Sequence, residues 1–359
     1  MSKPAEEKSY SAPGRVCLYG EHQDYLKLVV IPAAVDLRTT ITLQKNQSNK
    51  IKIKSHELEK THEFTVMRDL PLAFNDFDYF RAIIKVLFEE KKINEIPGFD
   101  ISISSDIPIG SGLSSSAALL VAWLTALDDQ LNLNLTKLEI ADIAFKAENQ
   151  VLGVNCGIMD QYSSSLGGIF SLDCNGPPYN TKSFTSNFDS IIIGDSCIRR
   201  SANKPLTILK NQINKGFEKI KQESDFKLAT LTFDELENFK SILTEDEFRR
   251  LFGVITIRNI TLQARNELSK KSQDIELLGE LLTKQQDMLR DYLEVSIPML
   301  DKLVKESINV GALGGKLTGA GLGGCMIALA PGKEEKIAKA INAAGGKATI
   351  CKIDYDGAK

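Results

Sequence analysis

Arg15, Glu21, His22 and Asp24 fall within ten residues, in the run Ser11-Ala-Pro-Gly-Arg15-Val-Cys-Leu-Tyr-Gly20-Glu21-His22-Gln-Asp24-Tyr25. Carboxylates accept hydrogen bonds from vicinal hydroxyls, and a neutral imidazole donates or accepts. Such a loop at a strand end suits a polyhydroxylated small molecule, and it equally suits a surface turn with a local ion pair. A zinc site fits poorly, because one histidine stands with two acids and no second histidine is near. His56 and His62 lie in a polar, alternating stretch and read as surface residues.

Two glycine-rich loops form the second chemical feature. Gly110-Ser111-Gly112-Leu113-Ser114-Ser115-Ser116 follows a strand-like run and precedes an apolar helical one. Glycines let backbone approach an anion, and amides at a helix start point toward it. The serine hydroxyls add ligands for phosphate oxygens or Mg²⁺. The loop is neither a Walker A motif, since no Gly-Lys-Ser/Thr follows, nor a G-x-G-x-x-G fingerprint. A tight turn with serine caps explains it equally well. The second loop, Lys316-Leu-Thr318-Gly319-Ala-Gly321-Leu-Gly323-Gly324-Cys, is also compatible with a segment pressed against another backbone. Two such loops more than 200 residues apart favour one shared phosphate site.

These features need a scaffold. Ile51–Ile53, Glu63–Val66 and Phe99–Ile103 alternate as strands do. Asn75–Glu90 carries Phe80, Ile83, Ile84 and Leu87 on one helical stripe. Ala117–Leu127 and Leu138–Leu152 read as helices, the second ending in Gly153-Val-Asn-Cys-Gly157-Ile-Met-Asp160. Ile169–Leu172 is a strand, Asp173–Ser190 a Gly/Pro/Asn/Ser-rich connection, and Ile191–Ile193 a buried strand. Residues 205–310 are helical by period, and strand–helix–strand patterning returns over 311–353. The expected domains are 1–187 and 188–359.

The 359 residues favour two domains, because single cores stop growing near ~250–300 residues. With 43% hydrophobic and 25% charged residues, the chain is an ordinary globular one. A net charge of −3 gives no reason to expect nucleic acid or an anionic membrane as partner. No apolar run approaches the ~20 residues of a membrane span, and the polar start shows no secretory signal. Six dispersed cysteines without a CxxC pair read as small buried thiols in a reducing cytoplasm.

In their order and content the three motifs resemble those of the GHMP kinases: Ala12–Tyr25, Pro108–Ala118 and Lys316–Cys325. The galactokinase branch matches best, through Gly-Arg-Val-x-Leu-x-Gly-Glu-His-x-Asp-Tyr and Cys156-Gly-Ile-Met-Asp-Gln161. The resemblance implies a two-domain α+β fold with a ribosomal-S5-like α/β domain followed by a ferredoxin-like α+β domain. It implies a cytoplasmic sugar kinase using ATP and Mg²⁺, with a monomer or homodimer left open. Asp160 and Arg15 would be catalytic, and Glu21, His22, Asp24 and Gly157 would bind the sugar. Gly110, Ser111, Gly112, Leu113, Ser114, Ser115, Ser116, Gly319 and Gly321 would bind ATP, with Ser116 and Glu148 holding Mg²⁺. Tyr79 and Arg81 resemble the stretch near the family's adenine pocket and equally suit a core.

Two departures bear on the acceptor. Leu26-Lys-Leu28 follows Asp24-Tyr25 where galactokinases carry a small or Gly-containing stretch, and Ser196–Lys210 holds no tyrosine where the family places one on the sugar. The motifs therefore argue for a sugar kinase more than for galactose itself. Ile193-Gly-Asp-Ser196 resembles mevalonate kinases, the first rival; a silent sugar- and ATP-binding regulator is the second. An aspartate (reference pKa about 3.9) is far too weak a base to strip a sugar hydroxyl in advance. Asp160 is expected to orient that hydroxyl and take its proton late.

Overall fold

The computed structural model describes residues 6–90, 92–199 and 204–359. The chain builds two sheets in succession. The first contains β1 (Lys8–Tyr19), β2 (Val29–Lys45), β3 (Lys50–Ser55) and β4 (Lys60–Thr65). After α1 (Asp78–Glu89) come β5 (Phe99–Ser105), α2 (Ser115–Leu131), α3 (Lys137–Lys146), α4 (Met159–Leu166), β6 (Ile169–Asp173) and β7 (Asn180–Phe184). Its strand order is β4-β3-β5-β2-β6-β7, with β1 paired to β2 alone. The strand β2 changes partner along its length: Val29–Ala33 faces β6, and Thr39–Lys45 faces β5.

The second half contains β8 (Ser190–Asp195), α5 (Lys204–Glu223), α6 (Phe233–Asn238), α7 (Glu245–Leu268), α8 (Ile275–Asp287) and α9 (Pro298–Asn309). It ends with β9 (Gly314–Leu317), β10 (Cys325–Leu329), α10 (Glu334–Ala343) and β11 (Lys347–Lys352). The sheet order is β11-β8-β10-β9, antiparallel throughout. Numbered within its own sheet this is 4-1-3-2, the arrangement of a ferredoxin-like β-α-β-β-α-β unit with its first crossover enlarged to five helices.

Local sequence explains most of these elements. The stripe of α1 is buried, Phe80, Ile83, Ile84 and Leu87 all joining one core with Phe99, Ile101 and Trp123. Thr136, Thr232 and Thr244 each close a capping box with a glutamate three residues on, fixing the starts of α3, α6 and α7. Two expectations need correction. The segment Asp173–Ser190 is not a plain connection, because Asn180–Phe184 forms β7 and pairs with β6. The helix expected over 138–152 regularises only to Lys146; Ala147–Val151 is a widened turn, in which the Leu152 amide reaches back five residues to the Ala147 carbonyl.

The last residues leave the second sheet and return to the first. Ile353 bridges to Val35, and the Asp354 amide donates to the Ala34 carbonyl at 3.0 Å. Ser11 and Lys359 exchange backbone hydrogen bonds of 2.7 and 3.0 Å, and the Ala358 amide donates to Ser165 in α4 at 3.1 Å. Arg38 clamps the tail through Asp354, the Gly357 carbonyl and the Ser11 carbonyl. The chain thus passes from the first sheet to the second between β7 and β8, while residues 354–359 return to the first sheet's surroundings.

Among the described residues no helix is long and apolar enough to cross a membrane. All six cysteines are free thiols; Cys17, Cys174, Cys325 and Cys351 are buried, Cys156 is half-buried and Cys197 is exposed, against the expectation for that residue. His62 is also not a plain surface residue. It stacks on Phe77 with centroids 5.0 Å apart and lies against the Arg81 guanidinium, while His56 is exposed and bonds Ser102.

Candidate active site

The strand β1 ends at Tyr19, and Gly20 turns the chain with a positive φ of 97°. The following loop is fixed from beneath by the C-terminal helices. Gln285 accepts from the Gly20 amide at 3.1 Å, and Gln23 donates to the Val254 carbonyl at 3.3 Å. These contacts leave Asp24 half-buried at the surface of the loop. His22 shares a 3.1 Å hydrogen bond with the Tyr25 hydroxyl. Lys210 of α5 sits 4.2 Å above the Tyr25 ring and donates to Asn155 at 3.1 Å.

Gly157 lies directly against Asp24: a Cβ on it would come within 1.7 Å of Asp24 Oδ2. Three residues on, in the first turn of α4, stands Asp160. Its Oδ1 accepts from Arg15 Nε at 2.8 Å and pairs with Nη2 at 2.6 Å. The same guanidinium donates through Nη1 to the Gly112 carbonyl at 2.6 Å. One buried arginine thus ties the acid to the glycine-serine loop. Burial works against the Arg15 charge, yet Asp160 holds its pKa above the ordinary value. Burial first, and then Asp160, push the Asp24 carboxyl up to about 6, against the pull of the Tyr25 amide, Arg15 and Lys210.

The loop itself opens α2. Gly110 and Gly112 adopt positive φ of 69° and 84°, and so does the non-glycine Ser114 at 63°. Ser114 makes no side-chain cap, and its buried Oγ has no hydrogen-bond partner among the described residues. An unsatisfied hydroxyl at a helix N-terminus is a place where an anionic oxygen binds. Leu113 contributes its carbonyl, which accepts from the Arg15 amide at 3.1 Å, and buries its side chain in the core. Ser111 is turned inward, donating to the Pro108 carbonyl at 2.7 Å.

Glu148 sits in the widened turn after α3 and is buried. Gln161, beside Asp160 on α4, donates to its Oε2 at 2.6 Å. Burial raises the Glu148 carboxyl, Asp160 adds to the rise, and hydrogen bonds from Ser116 and Gln161 oppose it. A hydroxyl and a carboxylate side by side are hard oxygen donors. They fit Mg²⁺, which takes few protein ligands and otherwise keeps water and phosphate oxygens. No cluster of three or more His, Cys, Asp or Glu suited to a metal occurs among the described residues.

The second glycine loop packs on the first. A Cβ on Gly319 would come within 2.9 Å of the Gly112 carbonyl, and one on Gly324 within 2.7 Å of the Ser111 carbonyl. Gly321 instead faces the Val295 carbonyl, where a Cβ would come within 2.2 Å. Glu21 lies beneath the loop of residues 20–24, fully buried and ion-paired with the equally buried Lys316. Burial raises the Glu21 carboxyl against the pull of Lys316. Arg81 is buried on Asp78, His62 and Phe64, a packing role; Tyr79 is half-buried, its hydroxyl pushed up to about 12 by burial and by Glu148 nearby.

Arg15, Asp24, Glu148, Gly157, Asp160 and the 110–116 loop therefore meet in one place. Sequence reading had given no role to Gln161, Lys210, Lys316 or Arg199. Gln161 and Lys316 lie inside the quoted motifs, which is a usable signal. Arg199, bidentate on Asp195 at 2.8 and 2.9 Å, has its Cδ 3.8 Å from the Cβ position of Gly110. It and Lys210 reach the site only through folding, and spacing carries no trace of that. Residues 200–203, in the stretch noted for lacking a tyrosine, lie outside the described residues.

Fold and site define a two-domain phosphotransferase whose glycine loop and acid are joined by an arginine. The GHMP kinase N-terminal domain model matches residues 78–168, the GHMP kinase C-terminal model residues 264–347, and the galactokinase galactose-binding signature residues 2–45. The chain belongs to the GHMP kinases, and it is an ATP-dependent phosphotransferase acting on an alcohol group. Lactococcus lactis galactokinase, solved in complex with galactose, is 27% identical with a TM-score of 0.88, covering 99% of this chain and 95% of that one. Methanococcus jannaschii mevalonate kinase is 25% identical with a TM-score of 0.74, covering 98% and 99%.

Proposed function

We propose that this chain is a sugar kinase of galactokinase type, transferring the γ-phosphoryl group of ATP to the anomeric hydroxyl of galactose or a related monosaccharide. The observation that carries the reading is the contact of Asp24 with Gly157 three residues before Asp160. It supports a reading in which Asp24 reads a sugar hydroxyl beside the acid that serves the phosphate loop. The galactose-binding signature over residues 2–45 supports the same assignment.

Phosphoryl transfer depends on positioning and on neutralising charge. Amides at the start of α2 and the Ser114 hydroxyl receive phosphate oxygens, and Gly319 braces the loop from behind. Ser116 and Glu148 would hold Mg²⁺, which neutralises phosphate charge when bound. Arg15 fixes the Asp160 carboxylate and places a cation beside the transferring group. Asp24 and His22 read sugar hydroxyls, and Gly157 leaves room for the ring. Asp160 accepts the hydroxyl's hydrogen bond and takes its proton as the new P–O bond forms.

Coupled ADP release decides the reading, with galactose, arabinose, fucose, glucuronate and mevalonate as acceptors. Turnover with a neutral monosaccharide is expected. Turnover with mevalonate alone assigns the chain to the mevalonate branch, and binding of sugar and ATP without turnover makes it a regulator. Asp160→Asn is expected to lower kcat by ~10²–10⁴ with little change in the KM for ATP. Turnover like that of the native chain in this variant removes Asp160 from the reaction.

A further inference from the structure

Lys316 belongs to the second glycine motif, yet it points away from the phosphate loop. Its side chain is completely buried. Its ammonium pairs with Glu21 Oε2 and donates to the Cys17 and Leu317 carbonyls, each at 3.0 Å. Cys17 is also held through its amide, which donates to Thr318 Oγ1 at 2.9 Å. The strand β9 that carries Lys316 is in turn fixed on α8, where Gln286 accepts from the Leu317 amide at 2.8 Å. The end of β1, the acceptor loop and the approach to the second glycine motif are therefore joined at one cation.

A charge buried without water is costly unless its partners are held in place. Here three oxygens from two segments of chain surround one ammonium. Glu21 is the residue immediately after the Gly20 turn, so fixing its carboxylate fixes the path of residues 20–24. That path sets where His22 and Asp24 emerge. The Cys17 carbonyl, held by the same ammonium, lies two residues from Arg15 along β1. Lys316 touches neither Asp24 nor Asp160.

We propose that Lys316 is a positioning residue: through Glu21 it holds the acceptor loop against the strand that leads into the second glycine motif, and so sets acceptor affinity without touching the acceptor. The inference rests on His22 and Asp24 facing the acceptor, as proposed above, and not on which sugar is bound.

The test uses the full chain and the variants Lys316→Met, Lys316→Arg, Glu21→Gln and the double variant Glu21→Leu/Lys316→Met. Amide hydrogen exchange of the ligand-free proteins reads the loop directly. Exchange over residues 20–27 is expected to quicken at least tenfold in Lys316→Met and in Glu21→Gln, and to return toward native in Lys316→Arg. In steady-state kinetics with galactose as probe, Lys316→Met is expected to raise the galactose KM at least tenfold, with kcat and the ATP KM within threefold of native. The double variant, lacking both charges, keeps the fold if the singles fail to fold, and its loop exchange is expected to stay fast. Unchanged exchange at 20–27, or a uniform rise across the chain, overturns the proposal. So does a Lys316→Met effect that Glu21→Gln does not reproduce. Absence of turnover with every sugar overturns the sugar-kinase reading instead, and the exchange measurement still decides the role of Lys316.

Discussion

Asp24 works under two pressures. Burial takes it out of water and Asp160 repels it, so its carboxyl rises to about 6 from an ordinary 3.8. A carboxyl whose folded pKa is raised favours the fold below pH 4, and that contribution is lost as pH climbs through about 6. Asp24→Asn should therefore raise the unfolding midpoint at pH 8 relative to the native chain, and raise it less at pH 4. For activity the sign is opposite, because the ionised form is the better acceptor of sugar hydroxyls. The kcat/KM for the sugar is expected to fall on the acid side of about pH 6. That limb is expected to vanish in Asp24→Asn, at a cost of about 1.5–3 kcal/mol in sugar binding. A limb of the same shape in the variant assigns it to another group. Cys156, beside the same acids, has its thiol pushed up to about 12 and remains a neutral lining residue.

At the scale of elements, the site is assembled by the ends of β1, α2 and α4 and by the turn after α3. Backbone meets backbone where the two glycine motifs touch, which explains the glycines at 112, 319 and 324 without invoking flexibility. Gly319 has a φ of 80°, and a Cβ there would press on Gly112. Gly319→Ala is expected to cost about 1–2 kcal/mol in backbone conformation alone. It should also shift the phosphate loop, raising the ATP KM by tenfold or more while the sugar KM moves less. Equal loss for both substrates would mean that the contact only stabilises the fold. The motifs were legible in the chain because glycines, acids and serines are scarce in such density. The alternation of Phe99, Ile101 and Ile103 and the stripe of α1 were equally readable. The long strand β2 was not, because Val29–Val35 is covered by β1 and β6 beside it and by helices, and loses its alternation. Short, exposed β7 gave no pattern at all. Lys316 was visible as a residue, but its partner 295 positions earlier was not, since no spacing encodes a buried ion pair across domains.

For the molecule as a whole, sequential domains do not mean independent ones. The acceptor loop of the first half rests on Gln285 and Val254 of the second, and the tail of the second half closes on β1, β2 and α4. Removing residues 354–359, or making Arg38→Ala, should lower the unfolding midpoint by several degrees, since each hydrogen bond to a charged group contributes about 1.5–3 kcal/mol. Calorimetry should show one transition in the native chain, and a tail deletion that left the midpoint unmoved would show that the clasp is idle.

That clasp also ties the rim of the first sheet to chain that lies beyond the second sheet. Ser11 finds its backbone partner only in Lys359. The amino-terminal half can collapse by itself, yet its rim stays unpaired until the second half has folded and delivered residues 354–359 to it.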